Sequence, residues 1–231
     1  DIIDITRKVA KEIEESGIRV AMLTTYPDFT HPDAVERERQ LQLLEDNILA
    51  ASRIGADLVR VTAGQAHPGV GKREGIEWAV RGLTRAAEFA VAYPLRLVFE
   101  NHAKPGAWQY TDFSHPTEIF LSIVESTANT TLGVNWDTAN TLAYGEDPIP
   151  VLKRVINRVV SVHAADTSTR GALKPVLLGT GIVPFKEMFM ILRDSGFDGW
   201  ICMEEASFTG LEAVKTAADF VRHTWTKSQS P

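Results

Sequence analysis

Four acidic or imidazole side chains close apolar, β-rich runs of this chain. Glu100 ends the run from Leu95, Asp137 the run from Thr131, His163 the run from Val159, and Glu204 the run from Trp200. An apolar run that turns polar at one boundary reads as a buried strand delivering a group at its tip. One imidazole and three carboxylates form a donor set for a hard divalent cation: Mn²⁺ or Mg²⁺ suits the carboxylates, and Zn²⁺ accepts the imidazole. Such an ion would stabilise negative charge developing on a substrate oxygen. A polar residue after a strand commonly caps a helix or meets solvent, so each position says little alone. The recurrence at four tips makes them one expected site.

The elements that must position these groups follow from periodicity. Ile2, Ile5, Val9 and Ile13 fall on one helical stripe ended by Gly17, and they predict a helix covering a sheet. Strands are expected at 18–23, 57–63, 95–100, 131–137, 159–163 and 200–204, with helices between them and a last helix ending near Trp225. Successive tips lie from 26 residues apart (Asp137 to His163) to 41 (His163 to Glu204), room for one strand and one helix each. The expected fold class is therefore α/β, a parallel barrel whose strand C-termini open on one face. No linker or repeat marks a second domain, so residues 1–231 are expected to form one domain. Six strands behind an initial helix fall short of the eight of a closed (β/α)8 barrel, and a first β-α-β segment is expected upstream of Asp1.

Around the tips, Arg60 lies inside the second strand. A buried guanidinium requires a partner, expected among the carboxylates or on a substrate. His102 and Lys104 follow Glu100 closely and are expected to contact substrate. Gln65 and His67, in the glycine-rich loop after the second strand, read as free loop residues, and that loop lacks the Lys-Ser/Thr pair of a phosphate-binding P-loop. By strand alternation Trp136 and Glu205 face away from Asp137 and Glu204. The longest irregular stretch, 164–183, includes Gly179-Thr-Gly181 and sits where substrate loops belong.

With 44% hydrophobic and 23% charged residues the chain is ordinary globular material, and its net charge of −6 opposes a general nucleic-acid or anionic-membrane surface. The one cysteine, Cys202, excludes an intramolecular disulfide and reads as a strand residue rather than a reactive thiol. No apolar run reaches a membrane span and no secretory pattern opens the chain, so a cytoplasmic location is expected. The terminal stretch Lys227-Ser-Gln-Ser-Pro231 reads as a frayed tail. No nucleic-acid or membrane partner is expected, and nothing in the sequence opposes a homo-oligomer.

Several motifs together resemble the xylose-isomerase-like TIM-barrel superfamily, the sugar phosphate isomerase/epimerase group: Phe99-Glu-Asn-His102, Asn135-Trp-Asp-Thr-Ala-Asn140, Val162-His-Ala-Ala-Asp166, Leu178-Gly-Thr-Gly181 and 199–205. The resemblance implies that Glu100, Asp137, His163 and Glu204 bind one divalent metal, with Glu100 and Glu204 also acting as acid and base. Arg170 is similar to an epimerase substrate-binding arginine. The expected function is a metal-dependent isomerase or epimerase of a small sugar or hydroxy-keto substrate. The alternative is a dehydratase of a cyclic polyol ketone such as an inosose or dehydroshikimate. A third reading, endonuclease IV-like DNA repair, is opposed by the acidic balance and by Asn140, which stands where both that enzyme and the ketose 3-epimerases carry a His. A fourth is a non-catalytic scaffold with an incomplete barrel.

Overall fold

The computed structural model describes residues 2–104 and 106–228, without the side chains of residues 2–4. Asp1, the Ile2 side chain of the expected stripe and residues 229–231 of the expected tail lie outside that description, whereas Lys227 is helical and Ser228 fully buried, so the tail is not frayed there. The order of elements is α1 (Ile2–Ser16), β1 (Met22–Thr24), α2 (Ala34–Arg53), β2 (Leu58–Val61), α3 (Lys72–Ala90), β3 (Arg96–Glu100), α4 (Thr117–Ser126), β4 (Gly133–Asp137), α5 (Asn140–Tyr144), α6 (Pro148–Val155), β5 (Val159–Ala164), α7 (Phe185–Asp194), β6 (Trp200–Met203) and α8 (Leu211–Lys227). The strands form a six-stranded sheet in chain order, β1 through β6. Helices between successive strands give the α/β repeat of a (β/α) barrel. No helix among the described residues is long and apolar enough to cross a membrane.

Contacts divide the chain into two compact units. The first comprises Asp1–Glu100, Lys104–Ser114 and Ser122–Gly133; the second comprises Asn101–Ala103, His115–Leu121 and Val134–Pro231. In the first unit β1 pairs parallel with β2, and β2 with β3, with Thr24 opposite Arg60 and Val61 opposite Phe99. Val59, Val61, Val98 and Phe99 are completely buried, as are Ile48 and Ala51 of α2 and Leu83 and Ala86 of α3. A parallel strand covered on both faces has no polar side to present, which is why these runs are largely apolar, with Arg60 and Glu100 the buried exceptions. Asp33 caps α2 by accepting a hydrogen bond from Val35 N at 2.9 Å.

In the second unit β4, β5 and β6 are parallel, with Asp137 opposite His163 and His163 opposite Cys202. A register shift between Val134 and Asn135 brings Asn135 opposite Ser161, and the buried Ser161 hydroxyl donates to Asn135 Oδ1 at 2.7 Å. Trp136, Val162, Ala164, Met188, Phe189 and Leu192 are completely buried in this unit.

Three local expectations are corrected. The first strand is only Met22–Thr24, because residues 18–21 do not join the ladder as strand. The stripe of α1 does not cover a sheet: Ile5 and Val9 are 62% and 38% exposed, and among the described side chains of this helix the buried one is Thr6. The third correction adds α5, five residues long and ended by Gly145 at φ +103°. A helix of that length offers no periodicity to read.

The irregular stretch after β5 is ordered by one buried side chain. Asp166 Oδ2 accepts hydrogen bonds from Gly179 N and Gly181 N, both at 2.9 Å, and Oδ1 accepts from Thr167 N (2.9 Å) and Val183 N (3.2 Å). A Cβ on Gly181 would sit 2.3 Å from Asp166 Oδ1 and 2.4 Å from Thr167 O, so the second glycine is required by close approach. Asp166→Ala is expected to lower stability by about 2–4 kcal/mol. Urea unfolding measures that loss, and amide exchange should accelerate across residues 167–183.

Candidate metal centre

Each candidate ligand stands where its run predicts. Glu100 is the last residue of β3 and Asp137 the last of β4, both 1% exposed. His163 precedes the last residue of β5 and is 3% exposed. Glu204 follows the end of β6, its backbone N donating to Ala164 O at 2.9 Å, and its side chain is 47% exposed.

In the first unit the structure joins Arg60 to Glu100. Arg60 Nε lies 2.9 Å from Glu100 Oε2 with both side chains 1% exposed, which supplies the partner that the buried guanidinium requires. Arg60 Nη1 also donates to Thr25 O at 2.8 Å, and the Tyr26 ring covers the guanidinium at 4.2 Å. The Glu100 carboxylate is thus held against a fixed cation.

In the second unit His163 Nδ1 approaches Glu204 Oε1 at 3.0 Å, without the angular geometry of a hydrogen bond. Asp137 is fixed beside them. Its Oδ1 accepts from Ala139 N (2.8 Å) and Asn140 N (2.7 Å), which sets the carboxylate rotamer and starts α5. Asn101, absent from the expected site, clamps the same tip: its Oδ1 accepts from Asp137 N at 2.8 Å and its Nδ2 donates to Asp137 O at 2.9 Å. Thr138 repeats the device towards β5, donating to Ala165 O at 2.6 Å and accepting from Ala165 N at 3.0 Å. Burial pushes the Cys202 thiol up, with His163 opposing and Glu204 reinforcing the shift, so thiolate is scarce at neutral pH.

The remaining expected contacts are spread more widely. His102 is half-buried, whereas Lys104 and Arg170 are exposed. Trp136 is buried as packing, and Glu205 turns back to accept from Ser207 N at 3.0 Å. Gln65 and His67 are not free loop residues, since both hydrogen-bond the buried Asp28. A cavity of about 710 Å³ in the second unit is lined by Asp166, Phe185, Met190, Phe220 and His223, and by none of Asp137, His163 and Glu204.

Residues 1–224 match the model of the xylose isomerase-like TIM barrel family. The chain belongs to that family. It is 29% identical over 146 residues to an inosose dehydratase of Clostridium tetani (strain Massachusetts / E88), covering 55% of this chain and 47% of that protein. A second inosose dehydratase, of Geobacillus thermodenitrificans (strain NG80-2), is 25% identical over 170 residues, covering 64% and 55%. The chain thus spans about half the length of these curated relatives. Among solved structures, the IOLI protein with a binding zinc atom superposes with a TM-score of 0.82 at 19% identity, covering 98% of this chain and 83% of that one. A D-tagatose 3-epimerase-like protein superposes at 0.80 with 17% identity, covering 96% and 83%. These likenesses show the fold.

Arg60→Met leaves Glu100 buried without its cation. Removing one partner of a buried pair costs about 3–5 kcal/mol. Urea unfolding of Arg60→Met should show a loss of that size, and Arg60→Lys should retain part of it.

Proposed function

We propose that Glu100, Asp137, His163 and Glu204 hold one divalent ion, and that the protein removes water from a cyclic polyol ketone of the inosose type. The observation that carries the ion is the 3.0 Å approach of His163 Nδ1 to Glu204 Oε1. Two donors bound at about 2.1 Å to one ion, at right angles, stand about 3 Å apart. An approach off the hydrogen-bond axis is what co-ligands adopt. Glu100, Asp137 and His163 each offer a buried ligand atom, so the donor set is one imidazole nitrogen with carboxylate oxygens. When bound, the ion supplies positive charge beside a substrate carbonyl and makes the neighbouring C–H bond acidic.

The chain's own groups then divide the proton work. One glutamate of the pair Glu100 and Glu204 takes the carbon-bound proton, and the C–H electron pair becomes the new C=C bond. The C–O bond to the β-hydroxyl breaks, and that oxygen leaves as water with a proton from the other glutamate, protonated at the start. Arg60 orients Glu100, while the half-exposed Glu204 exchanges its proton with solvent. The inosose dehydratase names of the matched relatives support water loss over the isomerase and epimerase outcomes, which share the first step. Asn140 in place of an epimerase His supports the same choice.

Protein loaded with Mn²⁺ is expected to convert an inosose to its dehydration product. Chelation should abolish turnover and added Mn²⁺ restore it. Glu100→Gln and Glu204→Gln should each lower the rate by about 10²- to 10⁴-fold, since an amide offers the ion an oxygen but carries no transferable proton. Product absorbance and solvent-deuterium incorporation, followed together, check the assignment. Exchange without water loss would make the protein an isomerase or epimerase.

A further inference from the structure

Asp28, in the loop after β1, is 6% exposed and receives hydrogen bonds on both oxygens. Oδ1 accepts from Gln65 N (2.9 Å) and from the Thr30 hydroxyl (3.3 Å). Oδ2 accepts from Gln65 Nε2 (3.0 Å) and faces His67 Nε2 at 2.8 Å. A carboxylate surrounded by donors is an acceptor only, so His67 donates from Nε2, and in the neutral imidazole Nδ1 is left as the acceptor. Gln65 cannot turn away, because its Oε1 accepts from Gln109 N (2.9 Å) and Tyr110 N (3.2 Å). The His67 ring is held edgewise between His31 (centroids 4.9 Å) and Tyr110 (5.5 Å). Gly64 lets the backbone come this close: at φ +128°, a Cβ there would lie 2.6 Å from Asp28 Oδ1 and 2.7 Å from Thr30 N.

We propose that His67, with its tautomer fixed by Asp28, is a substrate-contacting residue whose Nδ1 accepts a hydrogen bond from a ring hydroxyl of a polyol substrate. The inference rests on the cyclic-polyol reading above and assigns it one specificity contact. His67 follows β2 and Glu100 ends the neighbouring parallel strand β3 of the same unit, both at the C-terminal end of the sheet where such sites form. Tyr26, over Arg60, stands 6.2 Å from the Trp108 ring in an edge-to-face pair, which adds an aromatic wall to this end of the unit. The imidazole keeps 13% exposure while its other nitrogen is bound to a carboxylate. Fixing the tautomer and ring orientation defines what the remaining nitrogen offers.

The test uses the full chain loaded with Mn²⁺ and a set of singly deoxygenated inososes, with binding measured by calorimetry. In the wild type, removal of one particular hydroxyl should weaken binding about 5- to 10-fold. His67→Phe, which keeps the ring shape, should weaken the parent inosose by the same factor and erase the penalty for that one analogue. The ¹⁵N spectrum of the wild type, which needs no variant, should show the Nε2–H tautomer and a shift of the Nδ1 resonance on adding inosose. Parent affinity unchanged in His67→Phe, or an Nδ1 resonance unmoved by bound inosose, overturns the assignment while leaving the dehydratase reading intact. A wild type that loads metal but binds no inosose overturns that reading and this contact with it.

Discussion

A buried ion pair sets the terms for the first unit. Arg60 and Glu100 are each 1% exposed and 2.9 Å apart, so neither charge is stabilised by bulk water. Desolvation of two such groups costs several kcal/mol apiece, and an apolar pair of equal volume often serves stability better. The pair therefore imposes its own surroundings. The loop after β1 must give the guanidinium the Thr25 carbonyl and the Tyr26 ring. The Thr25 hydroxyl and amide in turn bind the Arg60 carbonyl, at 2.7 Å and 2.9 Å, so loop and strand are fastened in both directions. What this arrangement provides is a carboxylate of fixed direction at the tip of β3.

The second unit reaches a similar end by neutral means. Beyond the last rungs of β4 and β5, side chains continue the ladder: the Asn101 amide matches both backbone groups of Asp137, and the Thr138 hydroxyl matches both of Ala165. Polar backbone at a strand end would otherwise need water. These side chains exclude that need and hold Asp137 and His163 rigid, which is the condition for a pre-organised donor set. Glu204 differs, being past the end of its strand and half-exposed. One candidate group thus retains access to solvent protons while its neighbours are buried.

Much of this was legible in the residues. Each apolar run before a candidate ligand is a strand, because a doubly covered parallel strand takes mainly apolar side chains, and the polar ones it does carry are paired, as Ser161 is with Asn135. Burial of Arg60 within such a run announced its need for a partner. Other features left no such mark. Asp28 and His67 are 39 positions apart, and nothing local in either loop indicates that they meet. Asn101 read as one more polar residue beside Glu100, since a side chain that mimics backbone is recognised only when the neighbouring strand is in place. The stripe of α1 misled because periodicity shows that a face is apolar without showing what covers it.

The central claim is that the strand tips share one ion. Crystals soaked in Mn²⁺ and measured at the manganese absorption edge test it directly through the anomalous difference map. One peak is predicted within about 2.0–2.4 Å of His163 Nδ1 and of carboxylate oxygens of Glu100, Asp137 and Glu204. A map with no peak there at saturating Mn²⁺, or with the ion bound elsewhere in the chain, would contradict the account.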